Sequence, residues 1–158
     1  MESLSITLDA NDYKLLDYLA ADARMSLSAI ARELGLDTRT VKKKLDRLLD
    51  SGCFKLGVVT YAERLGYDSM ADIVLEVTAD AYEQVIETCL SYDCVYYLAK
   101  GWGVDNLLVQ ANCLNNDELN SFVYNTLANM RGVTIKNVVM ITDIIRDGTS
   151  WLPPKSLE

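Results

Sequence analysis

A single residue, Leu36, lies between Gly35, which ends one amphipathic stretch, and Asp37, which opens the next. Two helices this close cannot continue as one rod and must cross at a tight turn. In the first stretch Ser26 supplies an N-cap, and Leu27, Ile30, Ala31 and Leu34 form an apolar stripe at helical spacing. Glycine closes it because the left-handed backbone common at helix C-termini costs it little. In the second stretch Val41, Leu45, Leu48 and Leu49 face inward. An earlier helix is predicted from Asp9, with Asp12 in its first turn and Leu15, Leu16 and Leu19 inward, closing near Asp22. Together these predict a three-helix domain with a helix-turn-helix.

The azimuths on the third helix sort its bases. With Val41 at zero and about 100° per residue, Arg39 and Lys43 fall at about 160° and 200°, directly outward, and Arg47 at about 240°. Thr38, Arg39, Lys42 and Lys43 occupy the exposed N-terminal half, the end that recognition helices direct into a major groove. Lys44 borders the core and is expected to snorkel toward a phosphate, with Arg47 also on the backbone. After Ser51-Gly52 the β-prone run 54–61 reads as a wing and connection, where Lys55 is placed to touch a phosphate. A merely solvated face is the competing reading of these bases.

The net charge of −8 speaks at first against nucleic acid, but it is unevenly placed. Residues 1–57 carry nine acids and nine bases, so the whole excess belongs to the remainder, with fourteen acids and six bases. Arg39, Lys42, Lys43, Lys44 and Arg47 stand against Asp46 alone between residues 39 and 48. A neutral segment with a basic stretch, joined to an acidic body, predicts two domains with different partners. No run approaches the ~20 apolar residues of a membrane span, and Met1-Glu2-Ser3 does not open like a secretion signal. The four cysteines are therefore expected to be reduced, mostly buried hydrophobes in a cytoplasmic protein. The chain has no histidine, and no nucleophile–base pair, phosphate-cradling loop or metal set stands out. Neither catalytic residues nor a metal or cofactor are expected.

From Leu65 the pattern is strand, helix, strand, strand, helix, strand. Ala71, Ile73, Leu75 and Val77 alternate with more polar neighbours, and a helix follows from Ala79-Asp80 to about Ser91. Strands are predicted over 95–99 and 107–113, a helix capped by Asn116 or Asp117 reaching Met130, and a last strand over 133–145. The fold class is α+β: an N-terminal winged helix-turn-helix plus a C-terminal ferredoxin-like βαββαβ domain. Its second sheet face would carry Val74, Leu108, Gln110 and Asn112 and is expected to pack on another copy. The predicted boundaries are 1–57 for the helical domain, 58–66 for a linker strand, 67–146 for the second domain and 147–158 for a tail.

Several segments carry a family resemblance: Leu8-Asp9 with Asp12, Leu15 and Leu16; Ala23-Arg24-Met25-Ser26; and Leu34-Gly35-Leu36-Asp37. Val41, Leu45, Leu48, Gly52 and Phe54 continue it, then Leu65-Gly66-Tyr67. Over about residues 7–146 the chain resembles the Lrp/AsnC transcription regulators. The resemblance implies double-stranded DNA as partner, a homo-oligomer (a dimer, with octamers common) and a small-molecule effector such as an amino acid. The family's effector loop commonly reads Gly-Asp-x-Asp; here Gly101-Trp102-Gly103-Val104-Asp105-Asn106 keeps the last acid and inserts a tryptophan. Asp37 stands where the family usually has Ser or Thr. Two other readings remain: a sensing subunit acting through a related chain, and a sirohaem decarboxylase, whose chemistry looks histidine-dependent.

Overall fold

The computed structural model describes residues 6–146, which divide into two compact units at Val59/Thr60. The expected C-terminal tail, 147–158, lies outside the described residues. The first unit holds α1 (Ala10–Ala21), α2 (Leu27–Leu34) and α3 (Thr38–Asp50). Each start is capped locally. Asp9 and Asp12 form a reciprocal capping box, Ser26 accepts from the Ala29 N–H, and the Asp37 carboxylate accepts from the Thr40 N–H. Gly35 closes α2 in the left-handed region at φ 66°, which makes the one-residue connection to Asp37 possible. Leu15, Leu16, Leu19, Ile30, Ala31, Val41 and Leu48 form the core of this unit.

The expected linker strand over 58–66 does not form. Residues 54–60 make no backbone hydrogen bond among the described residues, and Ala62–Leu65 is a 3₁₀ turn closed by Gly66. A strand needs a ladder partner, and the described residues supply none, so Val58 stands 91% exposed despite its β propensity.

The second unit is a four-stranded antiparallel sheet of β1 (Ser69–Val77), β2 (Val95–Lys100), β3 (Leu107–Cys113) and β4 (Val133–Ile141), in the order β2-β3-β1-β4. With α4 (Tyr82–Leu90) after β1 and α5 (Asn116–Asn120) after β3, this is the ferredoxin-like βαββαβ topology. Here α4 starts at Tyr82 and Asn115 caps α5, its side-chain Oδ1 accepting from the Glu118 N–H. The helical path continues through a π-helical segment, Ser121–Thr126, to a 3₁₀ turn at Leu127–Asn129.

Ala71, Ile73, Leu75 and Val77 of β1 meet Leu107, Val109, Ala111 and Cys113 of β3 beneath Val85, Cys89, Phe122 and Leu127. The alternate residues form the second face: Asp72, Val74 and Glu76 of β1 beside Leu108, Gln110 and Asn112 of β3. Extra residues bulge β2 at Tyr96 and β4 at Lys136, shifting which side chains share a face. Cys89 and Cys113 are buried, which pushes their thiols up to about 11 and about 12 and keeps them un-ionised. Cys53, against the expectation of burial, is exposed.

Gly132 holds the turn into β4 at φ 77°, and a Cβ there would collide with Thr78 Oγ1 and Ala81 Cβ. Gly57 has no atom within 4 Å of an added Cβ and no positive φ. Gly132→Ala is expected to destabilise the second unit by about 1–3 kcal/mol or more, and Gly57→Ala to be neutral or slightly stabilising. Denaturant midpoints check this; equal effects of the two substitutions would contradict it.

Candidate nucleic-acid interface and effector loop

Helix α3 presents its bases in two groups. Thr38, Arg39, Lys42 and Lys43 are exposed on its first half. Arg39 and Lys43 carry no ion pair among the described residues, and Lys42 holds Asp46 in an exposed i,i+4 pair at 2.7 Å. Such pairs contribute only a few tenths of a kcal/mol, so Lys42 can exchange its partner. Asp37 is held ionised by the Thr40 hydroxyl and N–H, below the usual carboxylate range. Lys55 is exposed in the segment beyond the helix and also lacks an ion pair among the described residues.

Lys44 and Arg47 are placed differently from the expectation of phosphate contact. Lys44 Nζ donates to Asp9 and, at 3.0 Å, to Asp12, and its side chain is 18% exposed. Arg47 donates to the other Asp12 carboxylate oxygen. A helical wheel places Lys44 correctly at the core border, but cannot show a partner more than thirty residues back in the chain.

The loop between β2 and β3 is tied down at both ends. The Gly101 N–H donates to the Asn106 carbonyl at 2.8 Å, and the Asn106 N–H to Leu75 at 3.0 Å. The Asn106 side chain accepts from the Val77 N–H at 2.9 Å and donates to the Val77 carbonyl at 2.8 Å. The Tyr82 hydroxyl donates to the Asn106 carbonyl at 2.6 Å. Asn106 therefore spends its polar atoms inside the fold and anchors the loop, whereas the expectation counted it among ligand contacts. Gly101, Trp102, Gly103, Val104 and Asp105 are exposed, and Trp102 has no protein cover.

Beside this loop lies a cavity of about 450 Å³ lined by Asp80, Tyr82, Glu83, Lys100 and Asn106. Lys100 Nζ sits 5.2 Å from the Tyr82 ring centroid, a cation–π distance. The sequence reading missed this lining; the only local signal was that Lys100 directly precedes the loop. On the second sheet face Asn112 Oδ1 is buried without a hydrogen-bond partner among the described residues. No group of His, Cys, Asp and Glu among the described residues could hold a metal ion.

A family model described as winged helix-turn-helix DNA-binding matches residues 8–55. The HTH-type transcriptional regulator FL11 of Pyrococcus furiosus is 28% identical over 149 residues, 94% of this chain and 97% of that protein. An uncharacterized HTH-type transcriptional regulator of Pyrococcus horikoshii is 30% identical over 145 residues, 89% of this chain and 95% of that one. Among solved structures, a transcriptional regulator of Neisseria meningitidis in complex with L-methionine aligns with a TM-score of 0.82. It is 23% identical and covers 93% of this chain and 97% of its own. AsnC of E. coli aligns at 0.81 with 18% identity, covering 90% and 98%. At these identities the structural likeness concerns the fold.

The Asp9–Asp12 cluster sets a pH dependence. The Lys44 hydrogen bond, aided by backbone N–H groups, lowers the Asp9 pKa. Burial would raise that of Asp12, but the Asp9 N–H, Arg47 and Lys44 outweigh it and lower it as well. In the unfolded chain both return to ordinary values, so the folded state binds fewer protons across the interval between. Their stabilisation is present at neutral pH and lost as pH falls below about 4 through the folded values. Denaturant midpoints of the first unit should drop progressively as pH falls below about 4, and a flat profile would contradict the cluster's contribution.

Proposed function

The chain belongs to the Lrp/AsnC family of DNA-binding transcriptional regulators, and from that premise we propose that it binds promoter DNA as a homodimer or larger homo-oligomer under small-molecule control. The observation that carries the reading is the first half of α3, where Thr38, Arg39, Lys42 and Lys43 stand outward at the end a recognition helix inserts. Arg39 and Lys43 contact bases or phosphates, Lys42 joins them by leaving Asp46, and Lys55 contacts the backbone from the following segment. Two such helices in a dimer meet successive major grooves about 34–36 Å apart. Placing the net negative charge in the second unit confines DNA affinity to this helix.

The homo-oligomer is supported by the second sheet face. Val74 and Leu108 lie there only half-buried, as apolar groups that a second copy can cover. For the effector, the exposed loop 101–105 offers glycines that allow close approach, an indole able to cover an apolar side chain, and the Asp105 carboxylate. Asn106 anchors that loop. The N. meningitidis neighbour's complex with L-methionine supports an amino acid or a related small molecule. Reduced cysteines and the regulator family favour the cytoplasm, and no helix among the described residues is long and apolar enough to cross a membrane.

Fluorescence anisotropy on a duplex from upstream of the protein's own gene tests the reading. Log affinity should fall linearly with log salt, and Lys43→Gln and Arg39→Gln should each lower the slope by about 0.9. Adding amino acids one at a time should change the affinity for at least one of them, and Asp105→Asn should abolish that response. A wild-type chain that ignores DNA, or binding indifferent to both basic substitutions, would contradict the proposal.

A further inference from the structure

Asp9 and Asp12 make none of the DNA contacts proposed above, yet Asp12 is completely buried and receives both basic side chains of the second half of α3. A buried carboxylate is tolerated only when paired and hydrogen-bonded on several sides. Here Lys44 bridges the two acids, Arg47 takes one Asp12 oxygen, and the Asp9 N–H donates to that same oxygen at 2.9 Å. Two acids and two bases thus form a neutral cluster joining α1 to α3.

The cluster has two consequences. Apolar contacts within the core that holds Leu15 and Leu48 are non-directional and hold α3 at a distance without fixing its rotation. Charge-assisted hydrogen bonds from two successive turns of α3 to one carboxylate do fix it. The cluster also decides which cations remain available. Lys42 can leave the exposed Asp46 for a phosphate, but Lys44 or Arg47 leaving Asp12 would remove one of the charged donors that keep a buried carboxylate ionised. The positive field is concentrated on the first half of the helix.

We propose that Asp12 is a positioning residue for DNA recognition: it clamps Lys44 and Arg47, sets the rotation of α3 and withdraws those two cations from the phosphate footprint. The inference rests on the DNA-binding reading above and deepens it. It also reverses the expectation for Lys44 and Arg47, which act through helix placement and not through phosphate.

The salt slope of binding by the full chain separates the two roles, because loss of helix position changes affinity while loss of a phosphate contact changes the slope. Lys44→Gln and Arg47→Gln are each expected to weaken operator binding with an unchanged slope, whereas Lys43→Gln lowers it by about 0.9. Asp12→Asn should release a cation, steepening the slope by about 0.9 and lowering the ratio of operator to random-duplex affinity. Helical circular dichroism confirms that each variant is folded, and should Asp12→Asn not fold, the Lys44 and Arg47 variants decide alone. A slope that falls by about 0.9 in either of those two, or does not steepen in a folded Asp12→Asn, overturns the clamp. A wild-type chain with no salt-dependent binding instead overturns the DNA-binding reading beneath it.

Discussion

The interaction on which the first unit depends is the burial of one carboxylate, that of Asp12, between α1 and α3. Everything around it is arranged to keep it charged: the capping box with Asp9, the Lys44 ammonium and the Arg47 guanidinium. The hydrophobic core of Leu15, Ile30, Val41 and Leu48 supplies the driving force for packing three helices, but apolar contact has no direction. The carboxylate adds the direction. It ties a residue in the first turn of α1 to the middle of α3, so the turn at Gly35 and the outward face of α3 are parts of one rigid arrangement.

The second unit applies the same economy to a loop. Asn106 meets both backbone groups of Val77 with its amide and, with its own backbone, binds Leu75, Gly101 and Tyr82. This leaves residues 101–105 projecting from a fixed base, next to a cavity edged by Lys100, Asp80 and Glu83. For the proposed effector, a loop held this way would cost less entropy to order than a free one. The second sheet face carries Val74 and Leu108 only half-buried, the apolar groups that the proposed second copy would cover.

Much of the fold was legible because its determinants are local. Asp9, Ser26, Gly35 and Asp37 sit within four residues of the groups they cap, and β1 and β3 alternate cleanly because one sheet face is buried. What was not legible depends on residues distant in sequence. The basic face of α3 could be placed by its helical period, yet the partners of Lys44 and Arg47 lie more than thirty positions earlier. The bulges at Tyr96 and Lys136 arise from pairing between strands, and Asn106 looks like any polar loop residue until Val77 is brought beside it. The run 54–61 has strand-like residues, but no ladder partner stands among the described residues, and propensity without pairing does not make a strand.

DNA is proposed to meet the first half of α3 while the second half is held by α1. Hydrogen–deuterium exchange of the full chain, with and without an operator duplex, tests this most directly. Binding should protect peptides covering residues 37–43, with little change at residues 9–15, where the clamp is already formed. Protection on the segment beyond α3 or on the second unit, with residues 37–43 unaffected, would contradict it.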